Sequence, residues 1–82
     1  MKYQILYEKG ALKELDRLEP SITRRIIKKI DEMSGNPSSC DIKRLKASND
    51  YRLRVGDYRI IFIFDKHIIK IHKIGHRQQM YD

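Results

Sequence analysis

The stretch of sequence that decides the fold is Tyr51-Arg52-Leu53-Arg54-Val55-Gly56-Asp57-Tyr58-Arg59-Ile60. Gly56-Asp57 predicts a two-residue hairpin loop, because glycine at the first loop position adopts a positive φ without a Cβ clash. With this loop Arg54 lies directly opposite Arg59, and Arg52 lies two residues along on the same face. Like charges that face each other across a strand pair are unfavourable. The cluster therefore predicts a surface that holds an anion.

A solvated basic face is the alternative interpretation, because antiparallel sheets commonly leave one side in water. Three features favour an anion site: arginine opposes arginine, His72 is expected beside the pair, and no carboxylate is predicted at these central positions. Guanidinium groups match phosphate geometry with paired hydrogen bonds. We therefore expect the guanidinium groups to converge on one solvent-open spot that fits a phosphodiester.

Composition bounds the size and class of the protein. The chain has 82 residues, with 18 Lys and Arg against 11 Asp and Glu, and a formal net charge of +7. This length predicts a single domain over residues 1–82. The charge favours nucleic acid or another polyanion as partner, although a soluble surface that is simply basic is equally compatible. Cys40 is the only cysteine, which excludes an internal disulfide and a cysteine-based zinc site.

The apolar segments exclude a membrane protein. No apolar run approaches the ~18 residues that a spanning helix needs, and the N-terminus lacks the apolar stretch of a signal peptide. No motif for a cofactor or metal is present. We therefore predict a cytoplasmic protein with no membrane partner, no cofactor and no metal.

The order of periodic segments predicts an α+β fold. Strand alternation covers residues 3–7, and apolar residues at helical spacing predict helices over residues 8–18 and from Pro20 to Gly35. A polar connection with a short strand near residues 42–45 follows, and then strands over residues 51–55, 58–64 and 68–74. The resulting order β-α-α-β-β-β predicts an antiparallel twisted sheet with a two-helix pair packed on one face.

A second tight turn at Asp65-Lys66 completes the predicted register. It places residue 64 opposite 67, 59 opposite 72, and 61 opposite 70. One face then carries the core residues Leu53, Val55, Tyr58, Ile60, Phe62, Ile69 and Ile71. The other carries Arg52, Arg54, Arg59, Lys70 and His72, with Ile61 and Ile63 among them. A slip of one residue would exchange the two faces and bury the arginines.

The C-terminal tail, Gly75-His76-Arg77-Gln78-Gln79-Met80-Tyr81-Asp82, follows the last strand directly. Arg77 and Tyr81 can therefore curl back over the edge of the sheet. Together with Lys43-Arg44-Leu45 and the 51–60 hairpin, this tail gives the chain a family resemblance. The chain resembles the RelE/ParE superfamily of bacterial and archaeal toxins, and more closely the RelE branch of ribosome-dependent mRNA endonucleases.

The resemblance implies a metal-independent endoribonuclease that cleaves mRNA in the ribosomal A site. The RNA 2′-hydroxyl would attack the adjacent phosphate and leave a 2′,3′-cyclic phosphate and a free 5′-hydroxyl. The implied catalytic set is Arg54, Arg59 and Arg77, which hold the phosphate, and Tyr81, which stacks on a base or takes the 2′-hydroxyl proton. The implied RNA-binding set is Arg52, Lys70, His72 and His76, and the two histidines are alternative acid–base groups.

The resemblance also implies partners and leaves rival functions open. The partners are the ribosome with its mRNA and a cognate RelB-like antitoxin, expected to be acidic and amphipathic. One rival is a ParE-like toxin that poisons DNA gyrase without cleaving RNA. Another is a non-catalytic module that binds RNA or the ribosome through the same basic face.

Overall fold

Two helices and five strands make up the structure, a computed structural model that describes residues 2–46 and 48–79. In chain order the elements are β1 (Gln4–Tyr7), α1 (Lys9–Asp16), α2 (Pro20–Gly35), β2 (Ile42–Arg44), β3 (Tyr51–Val55), β4 (Tyr58–Asp65) and β5 (Ile68–His76). Short 3-10 turns cover Pro37–Ser39 and Arg77–Gln79. The α+β fold class is confirmed, and the short strand expected near residues 42–45 is present as β2.

The strands form one sheet in the order β1-β5-β4-β3-β2. The hairpins are antiparallel as predicted, but β1 pairs with β5 in parallel, so the sheet is mixed. The first predicted register is confirmed: Gly56 has φ 58°, Arg54 pairs with Arg59, and Arg52 pairs with Ile61. A glycine in this left-handed region is what allows so tight a loop.

The predicted second turn is wrong by one residue. The loop is Lys66-His67, with Lys66 at φ 57°, and it pairs Asp65 with Ile68 and Ile63 with Lys70. Moving the loop by one residue shifts the pairing by two. Every side chain up to this point therefore keeps its predicted face.

A β-bulge then changes the register of the last two strands. Phe62 pairs with Ile71, whereas Ile61 pairs with Lys73, so β5 has one extra residue at His72. The shifted loop and the bulge together place Arg59 opposite Gly75 and not opposite His72 as predicted. The bulge also brings Ile74 to the helix-covered face, where it is 2% exposed. Strict alternation would have placed it on the other face.

Helix α2 lies across one face of the sheet, and residues typical of helix ends mark both of its termini. Pro20 occupies the first helical turn, where its missing N–H breaks no hydrogen bond. The helix ends at Gly35, ahead of Asn36-Pro37. Its buried face meets α1 and the sheet in one apolar core, which consists of Ala11, Leu15, Ile26, Ile30, Met33, Leu53, Val55, Ile60, Phe62, Ile69, Ile71 and Ile74.

Side-chain hydrogen bonds join the two helices to each other and α1 to the sheet. The Thr23 hydroxyl donates to the Leu15 carbonyl oxygen over 3.0 Å and so joins α2 to the end of α1. Beyond the end of β1, the Ile74 backbone N–H donates to the Glu14 carboxylate over 3.1 Å. Glu14 therefore supplies an acceptor to a stretch of β5 that β1 does not reach. Within the described ranges, neither helix is both long and apolar enough to cross a membrane.

Candidate functional site

The predicted arginine cluster lies on the face of the sheet that the helices leave uncovered, named here the open face. Arg52 and Arg54 alternate along β3 with Leu53 and Val55, which are buried in the core. The cross-strand pair of Arg54 with Arg59 brings two guanidinium-bearing side chains onto neighbouring strands. Three positive charges are therefore gathered at the end of the sheet that carries the first hairpin loop.

The four predicted arginines differ in their access to solvent. The side chains of Arg54 and Arg77 are 48% and 59% exposed, but Arg52 and Arg59 are only 4% and 8% exposed. The prediction of one solvent-open cluster is therefore wrong for Arg52 and Arg59. Buried charges are less screened by water and salt than exposed ones. The two buried guanidiniums therefore add to the positive potential beneath the two that an anion meets first.

Arg77 is held at the same end of the sheet by the first hairpin loop. Its backbone N–H donates to the Asp57 carbonyl oxygen over 2.7 Å. Its Nε lies 3.8 Å from the Asp57 carboxylate. Because Tyr58 pairs with His76, Arg77 follows the last strand pair directly. The structure thus places Arg77 two residues after Gly75, the partner of Arg59, and the convergence of their guanidinium groups on one phosphate stays a prediction.

Asp41 places a carboxylate among the arginines, contrary to the prediction that these positions carry none. Strand β2 pairs Lys43 with Arg52, and the Arg54 backbone N–H donates to the Asp41 carbonyl oxygen over 3.0 Å. One Asp41 oxygen lies 3.4 Å from Arg52 Nη2 and the other 3.7 Å from Arg54 Nε. The carboxylate orients both side chains and competes with any phosphate for them.

Lys70 lies on the open face but far from the arginine cluster. It pairs with Ile63, four residues along β4 from Arg59, which corresponds to about 13 Å at strand rise. Its ammonium group lies 3.4 Å from the Asp65 carboxylate. Lys70 therefore belongs to the opposite end of this face.

His72 lies between these two ends and contacts two carboxylates. Its Nδ1 lies 2.7 Å from Glu8 Oε2, and its Nε2 lies 3.9 Å from Asp50 Oδ1. The first distance is a short hydrogen bond, whereas the second is too long for one. The ring is 27% exposed, so it is fixed in place yet reachable from solvent.

His76 lies on the helix-covered side, away from the other predicted RNA-binding residues. Its ring meets Tyr58 edge to face with centroids 5.4 Å apart. Both rings border a cleft of about 300 Å³ whose other lining residues are Ile22, Arg25, Ile26, Val55 and Asp57. The structure therefore does not bring His76 together with His72. Tyr81, the predicted stacking residue, lies outside the described residues.

The sequence argument missed the carboxylates Glu8, Asp41 and Asp50. Asp50 had a usable signal, because it directly precedes β3 and continues the alternation of Arg52 and Arg54 toward the open face. Glu8 and Asp41 depend on which strands become neighbours, and the sequence pattern does not specify those pairings. Over residues 2–46 and 48–79, no three His, Cys, Asp or Glu side chains are grouped to hold a metal ion.

The chain that folds in this way matches a known protein family. The family model described as ParE toxin of type II toxin–antitoxin system, parDE, matches residues 5–81. The chain belongs to the RelE/ParE superfamily of toxins from type II toxin–antitoxin systems. The resemblance inferred from the sequence is thereby confirmed.

Several proteins similar to this chain come from archaea. The protein named RelE1 of Methanocaldococcus jannaschii is 37% identical over 87 aligned residues, covering 99% of this chain and 97% of the relative. A solved RelB–RelE antitoxin–toxin complex from Methanococcus jannaschii has a chain that is 33% identical with a TM-score of 0.76, covering 94% of this chain and 95% of that one. The archaeal RelE–RelB complex from Pyrococcus horikoshii OT3 gives 28% identity and a TM-score of 0.78, with 98% and 100% covered.

Proposed function

We propose that the protein is a ribosome-dependent endoribonuclease that cleaves mRNA in the A site without a metal ion. The observation that carries the proposal is the direct pairing of Arg54 with Arg59, with Arg77 held at the same end of the sheet. Similarity to proteins named RelE supports this branch of the superfamily.

The proposed chemistry uses positive charge where the reaction builds negative charge. When the 2′-hydroxyl attacks the adjacent phosphate, the phosphorane gains charge relative to the diester, and fixed cations stabilise it. Arg54 and Arg77, whose side chains are exposed, hold this phosphate directly, and the guanidinium of the buried Arg59 stabilises its charge from beneath. Arginine keeps its proton, so these side chains stabilise charge and do not transfer protons. Tyr81 stacks on a base or takes the 2′-hydroxyl proton.

The RNA-binding residues extend the contact along the message. Arg52 adds positive charge beneath the cluster, and Lys70 and His72 continue the open face toward its other end. His76 contacts RNA only where the strand passes round the end of the first hairpin, because its ring lies on the helix-covered side.

The second proposed partner is a cognate RelB-like antitoxin. Solved complexes of similar toxins contain RelB, and a net charge of +7 favours an acidic partner. Leu6, which pairs with Lys70 and is 49% exposed, offers an apolar contact on the open face to an amphipathic segment. Such a segment would neutralise the open face and block the approach of RNA.

The decisive experiment incubates the purified protein with ribosomes programmed with a defined mRNA. We expect one cut within the A-site codon, with a 2′,3′-cyclic phosphate on one fragment and a 5′-hydroxyl on the other. A 2′-deoxy nucleotide at the cut position should abolish cleavage, because the attacking oxygen is then missing. Fragments ending in a 3′-hydroxyl would contradict the proposed mechanism.

The matching family model carries the name ParE, which keeps a gyrase poison as the second candidate. A supercoiling assay with DNA gyrase tests it directly. Inhibition of supercoiling together with intact mRNA would establish the ParE-like function. Ribosome binding with neither effect would identify a non-catalytic binding module.

A further inference from the structure

His72 differs from the other basic groups of the open face because the fold fixes both sides of its ring. It lies at the extra residue of the β5 bulge, between the end of β1 and the segment that leads into β3. Glu8 follows β1 directly, and its backbone N–H donates to the Ile71 carbonyl oxygen over 3.0 Å. The Glu8 carboxylate is therefore anchored next to the imidazole by the backbone itself.

The two ring nitrogens of His72 have different surroundings. Nδ1 lies 2.7 Å from Glu8 Oε2, a distance at which the ring must donate a proton to the carboxylate. In the neutral ring this leaves Nε2 as the acceptor. Asp50 Oδ1 is 3.9 Å from Nε2, so it contacts that nitrogen electrostatically without occupying it. A carboxylate that fixes the tautomer of a histidine base is the arrangement that catalytic dyads use.

We propose that His72 is the general base that takes the proton from the RNA 2′-hydroxyl, and that Glu8 is its positioning residue. This inference rests on the proposed endoribonuclease function and assigns the proton transfer to His72 and not to Tyr81. His76 lacks this arrangement, because its Nδ1 accepts the Gln78 backbone N–H over 3.2 Å and its ring lies on the covered side.

The reach between His72 and the arginine cluster suits one ribonucleotide. Arg59 pairs with Gly75, three residues along β5 from His72. Strand rise gives about 10 Å along β5, which the long arginine side chain and the imidazole together can span. A phosphate held by the arginines thus brings its neighbouring 2′-hydroxyl toward Nε2.

The proposed step is balanced in protons and electrons. Nε2 accepts the 2′-hydroxyl proton, and the freed electron pair of the 2′-oxygen forms a bond to phosphorus. The bond from phosphorus to the 5′-oxygen breaks, and that oxygen takes a proton from water. The resulting hydroxide removes the proton from the imidazolium and restores the base.

Charged residues lie on each element that neighbours this base, although only Glu8 and Asp50 approach its ring nitrogens in the ion pairs described above. The carboxylates favour the imidazolium that forms during the reaction, and the cations disfavour it. These groups are Glu8 after β1, Asp50 and Arg52 from β3 and its approach, Arg59 from β4, and Lys70 and Lys73 from β5.

The test of the base compares His72→Gln with the control His67→Gln, an exposed histidine in the second hairpin loop. Single-turnover cleavage should fall by roughly 10²–10⁴-fold in His72→Gln, and the pH profile of the remaining rate should differ from that of the wild type. Binding of an mRNA with a 2′-deoxy A-site nucleotide should weaken far less than the cleavage rate falls, since positioned proton transfer is what the variant removes. The control should match the wild type in all three measurements.

The test of the positioning residue does not depend on cleavage. Nitrogen chemical shifts of the His72 ring report which nitrogen carries the proton in the neutral form. We expect Nδ1–H in the wild type, loss of this preference in Glu8→Ala, and its retention in Glu8→Gln, whose amide oxygen accepts the same hydrogen bond. Cleavage should fall further in Glu8→Ala than in Glu8→Gln.

The outcomes separate the two proposals. If the wild type cuts mRNA but His72→Gln keeps its rate and pH profile, His72 is not the base and the endoribonuclease function stands. If the wild type does not cut, both the function and the base role fail. A neutral His72 that carries its proton on Nε2 overturns the dyad regardless of cleavage.

Discussion

The two faces of the sheet use the same strands in opposite ways. On the covered face Leu53, Ile60, Phe62, Ile69 and Ile71 are all 0% exposed and purely apolar. On the open face arginines, lysines and a histidine lie near carboxylates from four different segments, with Ile61 and Ile63 among them. Because neighbouring residues of a strand point to opposite faces, residues of the apolar core alternate along each strand with residues of the open face. The comparison teaches that changes on one face should affect folding and changes on the other should affect anion binding.

The largest expected effect breaks the covered face. Ile60→Ala removes three carbons from a position that is 0% exposed and should lower the free energy of unfolding by about 2–5 kcal/mol. Ile63→Ala, the matched change on the open face of the same strand, should cost clearly less. Urea denaturation followed by circular dichroism measures both. Equal losses in the free energy of unfolding would show that the open face contributes to stability as much as the covered face.

The next effect removes a charge from the open face. Arg77→Ala should lower single-turnover mRNA cleavage by roughly 10²–10³-fold, the usual worth of one group that stabilises transition-state charge. Stability should change little, because the side chain is 59% exposed. Arg24→Ala, at an exposed position of α2, is the control and should cleave mRNA at the wild-type rate. A loss confined to ribosome affinity would refute the catalytic role of Arg77.

A smaller effect sharpens the comparison by removing a carboxylate. Asp41→Asn should raise the affinity for single-stranded RNA severalfold at low salt, because Arg52 and Arg54 lose a competing anion. Asp16→Asn, on α1, makes the same change in net charge away from the open face. Fluorescence anisotropy at several salt concentrations distinguishes the two variants. Equal gains would assign the effect to net charge alone.

The smallest effect concerns pH and the covered face. Burial raises the pKa of Tyr7 above its ordinary value of 10.0, and the charge of Asp31 raises it further. A raised pKa means that folding favours the neutral phenol. The resulting stability is complete below pH 10 and is lost as pH rises through the folded-state pKa. Tyr7→Phe should therefore lose less stability above pH 10 than the wild type, with Tyr3→Phe, just before the same strand, as the comparison.

The sequence specified the parts of the fold that local chemistry controls. Gly56-Asp57 fixed the first hairpin, and with it the pairing of Arg54 with Arg59. Pro20 and Gly35 marked the ends of α2. Apolar alternation in β3 and β4 identified the covered face, since only one register buries all of those side chains.

The parts that the sequence did not specify depend on contacts between distant segments. Lys66 at φ 57° adopts a conformation that is uncommon without glycine, so the residues alone do not mark the second loop. No residue type in the sequence indicates the bulge at His72. The bulge forms at the point along β5 where the neighbouring element changes from β1 to α1. Asp41 reaches the arginines only through β2, and Glu8 reaches His72 only through the parallel pairing of β1.

The pairing of β1 with β5 also determines when, during synthesis, the sheet can be completed. Gln4 pairs with Ile68 and Tyr7 with Ile71, so the first strand made finds its neighbour only after the last strand has been synthesised. Contacts so distant in sequence form late in folding. A nascent chain therefore carries an incomplete sheet, in which β1 stays unpaired until β5 has been made. Glu8, which follows β1, meets His72 only at that last step, so the proposed base and its positioning residue come together after the first hairpin has already paired Arg54 with Arg59.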